Sequence, residues 1–147
     1  TIDVSIFKYT PTADDATNQI QYITIATTGN ASDFGDLLAA QYRMGSLSND
    51  TRCLFASGQV GGVSNVIQYI TTATTGNATD FGDLTVTRYG PFGAANATRG
   101  VFGGGYTGSA KSNVIDYVTI ASTGNATDFG DMLSTQLVND GAGLSGD

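Results

Sequence analysis

One ten-residue phrase occurs three times in this chain. Thr28-Gly29-Asn30-Ala31-Ser32-Asp33-Phe34-Gly35-Asp36-Leu37 returns as Thr75-Gly76-Asn77-Ala78-Thr79-Asp80-Phe81-Gly82-Asp83-Leu84, and again as Thr123-Gly124-Asn125-Ala126-Thr127-Asp128-Phe129-Gly130-Asp131-Met132. The tyrosines before these blocks, Tyr22, Tyr69 and Tyr117, stand 47 and 48 residues apart. A period of that length belongs to repeat architectures, in which a unit buries its apolar faces only against its neighbours. With 147 residues, the whole span 1–147 is read as one repeat domain of three units.

Within a unit, the order of residues specifies strands. Thr98 to Gly105 is a short apolar run closing on glycines, read as an inner strand. Asn113 to Ile120 is rich in β-branched and aromatic residues and lacks helical spacing, so it is the clearest strand of the unit. Alternation gives it two faces. Ile115, Tyr117 and Thr119 on one face recur as Ile67, Tyr69, Thr71 and as Ile20, Tyr22, Thr24, and a face that repeats unchanged is expected to be buried against the same neighbour each time. Asp116 on the other face stands where Gln68 and Gln21 stand in the earlier units. A turn at Ser122 to Asn125 leads to a third strand carrying one ring, Phe129, expected to be buried like Phe34 and Phe81. A glycine-broken strand, Thr87 to Asn96 and its counterpart Tyr42 to Arg52, leads into the next unit, making four strands per unit.

Composition narrows the chemistry. The chain has no histidine and a single cysteine, Cys53. A histidine base for a serine or cysteine nucleophile, histidine ligands for zinc or copper, and an intramolecular disulfide are therefore excluded. Six Lys and Arg residues against thirteen acids give a net charge of −7, which argues against a nucleic-acid partner. No apolar run approaches the roughly 18 residues of a membrane span, and no signal-peptide pattern precedes the repeats. The chain starts without an initiator Met, and residues 139–147 break off part-way through a unit, which suggests processing or an excerpt from a longer chain.

Several motifs invite chemistry and are better explained by structure. Asn30, Asp33 and Asp36, with their counterparts Asn77, Asp80, Asp83 and Asn125, Asp128, Asp131, offer oxygen atoms at spacing three. They lack the dense alternation of a calcium loop, and turn capping by Asn and Asp accounts for them. Asp-Phe-Gly stands here without a glycine-rich nucleotide loop or a strand lysine, and Gly103-Gly104-Gly105 lacks the Lys-Ser/Thr that a phosphate loop requires. Asn30, Asn49, Asn77, Asn96 and Asn125 lie in glycosylation sequons that are read as turns. Cys53 is read as a buried small hydrophobe. Catalytic, cofactor-binding and metal-binding residues are all expected to be absent.

Four strands per 47 or 48 residues, the run Val101-Phe102-Gly103-Gly104-Gly105, the strand Val114-Ile115-Asp116-Tyr117, and a bulky ring at Phe129 followed by Met132 resemble a blade of the kelch-type β-propeller family. Kelch units place Trp and Leu where this chain has Phe129 and Met132. The recurring block is also similar to repeat arrays in structural proteins of tailed bacteriophages. These resemblances imply an all-β fold of three kelch-like, propeller-like units, completed by oligomerisation because three blades are fewer than a ring requires. They imply a non-enzymatic structural or adhesive component of a virus particle: a phage tail, a fibre or a capsid decoration. Its expected partners are further copies and other virion proteins, and its expected location is the virion or the extracellular space. The alternative is a carbohydrate-binding adhesin or lectin-like module contacting a surface glycan through loop Asn, Asp and Tyr side chains. Contacts between copies are expected at Thr1 to Tyr9 and Leu137 to Asp147, because interior units already have neighbours on both sides.

Overall fold

The computed structural model describes residues 4–7, 16–59 and 61–135. These form eleven strands and no helix. In chain order the strands are β1 (Val4–Phe7), β2 (Thr17–Thr24), β3 (Ser32–Gln41), β4 (Gly45–Ser48), β5 (Arg52–Ala56), β6 (Ser64–Thr71), β7 (Thr79–Arg88), β8 (Phe92–Ala95), β9 (Arg99–Gly103), β10 (Val114–Thr119) and β11 (Thr127–Asp131). They make three antiparallel sheets, β1-β2-β3, β4-β5-β6-β7 and β8-β9-β10-β11, in each of which consecutive strands are neighbours. The three sheets are the three units of the sequence. The first has three strands among the described residues, and the run 140–145 that aligns with the strand preceding β1 lies outside them.

The same irregularity recurs in every unit. Ile20 pairs with Gly35 and Gln21 with Asp33; Ile67 pairs with Gly82 and Gln68 with Asp80; Ile115 pairs with Gly130 and Asp116 with Asp128. One residue, the phenylalanine, is skipped each time. This is a β-bulge whose glycine takes a positive φ of 148°, 142° and 134° in turn. The Phe-Gly-Asp of the repeated block is therefore a backbone device that bends the outer strand. The glycine-broken strand expected at Thr87 to Asn96 is two strands, β7 and β8, separated at Tyr89 to Pro91.

Burial follows the joints between sheets. One core cluster joins Ile20, Phe34 and Leu37 of the first sheet to Cys53, Phe55, Ile70 and Ala78 of the second. The other joins Leu47, Leu54, Ala56, Ile67, Phe81 and Leu84 of the second sheet to Phe102, Val118 and Ile120 of the third. The second sheet thus gives one face to the first unit and the other to the third.

The central-strand reading holds, since β2, β6 and β10 are inner strands of their sheets. Burial departs from expectation at the tyrosines of every unit, at the exposed Thr24, Thr71 and Thr119, and most of all at the ring and isoleucine of the third unit's outer face. Ile20 and Ile67 are fully buried, whereas Ile115 is half-buried, and the tyrosines Tyr22, Tyr69 and Tyr117 are half-buried as well. Phe34 and Phe81 are 4% and 2% exposed, but Phe129 is 56% exposed. For Ile115 and Phe129 the reason is local, because no sheet among the described residues packs over the third unit's outer face.

Candidate functional site

The joint between units is built from the repeated block itself. The turn that precedes β7 presents Gly76, Asn77 and Ala78 to the bulged strand β3 of the first unit. Gly76 N–H donates to Phe34 O at 2.8 Å and Ala78 N–H to Asp36 O at 2.7 Å, while Asn77 Oδ1 accepts from Asp36 N–H at 3.0 Å. One unit later the pattern is repeated. Gly124 N–H donates to Phe81 O at 2.7 Å, Ala126 N–H donates to Asp83 O at 2.8 Å, and Asn125 Oδ1 accepts from Asp83 N–H at 3.1 Å. Three hydrogen bonds per joint satisfy the outer edge of a strand that would otherwise display free donors and acceptors.

The glycines of the bulge are required twice over. A Cβ at Gly35 would lie 2.3 Å from Gly76 O, and one at Gly82 would lie 2.4 Å from Gly124 O. Both positions also have the positive φ that side chains avoid. At Gly130 the backbone has the same φ, yet nothing lies within 4 Å of the Cβ position. The innermost strands approach as closely, since a Cβ at Gly93 would meet Ser46 O at 2.1 Å.

A second layer of each joint is polar and differs between the two. Across the second joint, Arg88 and Asp116 form a fully buried ion pair with Nη2 to Oδ2 at 2.8 Å. Arg88 also donates to Val114 O and Phe102 O, and Thr85 Oγ1 donates to Asp116 Oδ1. Burial pushes the Arg88 pKa down, and the neighbouring Asp116 charge opposes that shift. The equivalent positions in the first joint are Gln41 and Gln68, both buried, and Gln68 Oε1 accepts from Leu38 N–H at 2.7 Å. The variable face of the central strand is thus where each joint matches its own pair.

The asparagines and aspartates expected in turns are placed by these joints. Asn77 and Asn125 cap the neighbouring unit's strand rather than their own turn. Asn49 and Asn96 do cap their own turns: Asn49 Oδ1 accepts from the N–H groups of Thr51 and Arg52, and Asn96 Oδ1 from those of Thr98 and Arg99. Asp128 accepts from Gly130 N–H at 3.0 Å. No three His, Cys, Asp or Glu side chains converge among the described residues. A shallow polar depression beside Tyr22, Thr27, Asn30 and Ser32 contains no charged side chain. Cys53 is buried, and burial pushes its thiol up to about 12, so it is held as the inert thiol.

Sequence reasoning did not find the docking of one unit's Gly-Asn-Ala on the preceding unit's Phe-Gly-Asp, although both halves lie in the repeated phrase. The signal was that the phrase is invariant on both sides of the turn, where a turn alone needs only its Gly and Asn. The Arg88–Asp116 pair was also missed, because neither residue recurs at its equivalent positions. No protein-family model matches this sequence, and neither does any curated protein.

Proposed function

We propose that this protein is a non-enzymatic structural component of a virus particle, a phage tail, fibre or capsid decoration, that assembles through contacts between β-repeat units. In this reading the units are blade-like, in the manner of the kelch-type propellers that the sequence resembles, and the protein works by presenting strand edges and sheet faces to further copies or to other virion proteins. The observation that carries it is the joint itself: one phrase makes the same three hydrogen bonds twice, between the first and second units and between the second and third. A segment preserved for docking on its own kind serves construction. Asn77, Asn125 and Asp128 of the blocks are engaged in backbone capping, and a role in assembly needs no general base, nucleophile or cofactor.

The test uses particles from the source material. Antibody raised against the chain is expected to decorate intact particles at a regular position in electron micrographs. Particles that never carry the label, together with a chain that binds a defined glycan on an array and loses that binding on Asn30→Ala or Tyr22→Ala substitution, would replace this reading with the adhesin.

A further inference from the structure

Among the described residues both halves of the joint are left over, the turn in the first unit and the bulge in the third. In the first unit the turn Gly29-Asn30-Ala31 is exposed, and Asn30 makes no hydrogen bond with the described residues, although its equivalents Asn77 and Asn125 each cap a neighbouring strand. The surface around it is a docking face without its partner. Gln21 is exposed where Gln68 and Asp116 are fully buried, and Ile25 is 60% exposed where Ile120 is fully buried. In the third unit, the strand Phe129-Gly130-Asp131 has the same bulge and the same positive-φ glycine as its equivalents, with open space over Gly130 and an exposed Phe129. The acceptor is shaped before anything is docked on it.

We infer that a second copy of this chain docks head to tail, its Gly29-Asn30-Ala31 turn seating on Phe129-Gly130-Asp131 and reproducing the joint that the chain already makes twice within itself. Gly29 and Ala31 N–H donate to Phe129 O and Asp131 O, and Asn30 Oδ1 accepts from Asp131 N–H. A second copy is the occupant because the turn and the bulge left open are the same two halves that already dock on each other twice within the chain, so one copy offers what the other accepts. The polar layer also permits it: the position equivalent to Gln68 and Asp116 is Gln21, a neutral side chain that leaves no buried charge unpaired in the new joint. Such a contact is heterologous, so it continues until the rotation closes a ring or extends into a filament. The inference rests on the structural reading above and names the partner of that same surface.

The test is sedimentation of the full chain with two variants at exposed positions, Ala31→Arg, which blocks the turn, and Phe129→Asp, which spoils the bulge. Wild-type protein is expected to form dimers or larger species at tens of micromolar. Each variant alone is expected to be monomeric with an unchanged circular dichroism spectrum. An equimolar mixture is expected to give a one-to-one dimer and nothing larger, since only one intact turn and one intact bulge remain in the mixture. If Ala31→Arg perturbs folding, Asn30→Ala replaces it and is expected to weaken association at least tenfold. A wild-type chain that is monomeric at 100 μM, association that survives both variants, or folded variants that fail to complement would each overturn the inference. In those cases antibody-labelled particles would still support the structural reading; conversely, complementation as expected from a chain whose antibody never labels particles would sustain the joint and remove the virion.

Discussion

At the scale of single residues, Arg88 is the largest fully buried side chain among the described residues. It is fully buried, its Nε finds no acceptor among the described residues, and its charge is balanced only by Asp116 from the next sheet. Removing one member of a buried pair leaves a charge with neither water nor a counterion. Asp116→Ala should therefore destabilise the protein by about 3–5 kcal/mol in urea unfolding. The double variant Arg88→Gln/Asp116→Gln should recover most of that loss, because the first joint already works with Gln41 and Gln68 in the same places. A double variant no better than Asp116→Ala would show that the polar layer is not interchangeable.

Cys53 gives a pH signature of the opposite kind. Burial pushes its thiol up to about 12 from the ordinary 9.0, so the neutral form is favoured in the folded state. The associated stability is complete below pH 9 and is lost as pH rises from there toward 12. Cys53→Ala should flatten the fall in stability across that interval, measured by denaturant midpoints at each pH.

At the scale of elements, the bulge and the turn act as one device. Gly82→Ala and Gly130→Ala place a methyl on glycines of nearly the same φ, 142° and 134°, so they share the conformational cost. Only at Gly82 does the methyl meet backbone, at 2.4 Å from Gly124 O. The Gly82 variant should be the more destabilising of the two by about 1–3 kcal/mol in thermal or urea unfolding of the dilute chain. Equal costs would mean that the strand and turn do not pack as tightly as the geometry requires.

Much of this level was legible in the sequence. Alternating Ile-Tyr-Thr and the glycine-tailed runs located β2, β6, β10 and β9, because strand periodicity is a local property. The bulge was not legible, since Phe-Gly-Asp reads as plain strand until pairing shows that the phenylalanine is skipped. The exposure of Phe129 could not be read from its own block, which is nearly the same as those around Phe34 and Phe81. Burial there is decided by whether another sheet packs over the ring, and that information lies outside the block.

At the scale of the whole molecule, stability comes from nearest-neighbour joints. Each joint combines the three hydrogen bonds of the repeated block, contributing roughly 0.5–1.5 kcal/mol apiece, and its own polar pair with a cluster of buried aliphatic and aromatic side chains. A joint between copies would use the same parts under an added electrostatic cost, because each copy carries a net charge of −7. Self-association is therefore predicted to strengthen as ionic strength rises from about 10 mM to 150 mM, where the Debye length shrinks from roughly 30 to 8 Å. A dissociation constant that rises with salt would point instead to a contact made by opposite charges.

The most direct measurement is amide hydrogen exchange at the six equivalent donors, followed as a function of protein concentration. Gly76, Ala78, Gly124 and Ala126 donate within the chain and should be protected at every concentration. Gly29 and Ala31 should exchange at the rate of open turns in dilute solution, then gain protection as concentration rises, in step with the sedimentation mass. Gly29 and Ala31 amides that stay unprotected while the chain associates, or intramolecular donors that exchange as freely as they do, would contradict the account that one joint builds both the chain and its assembly.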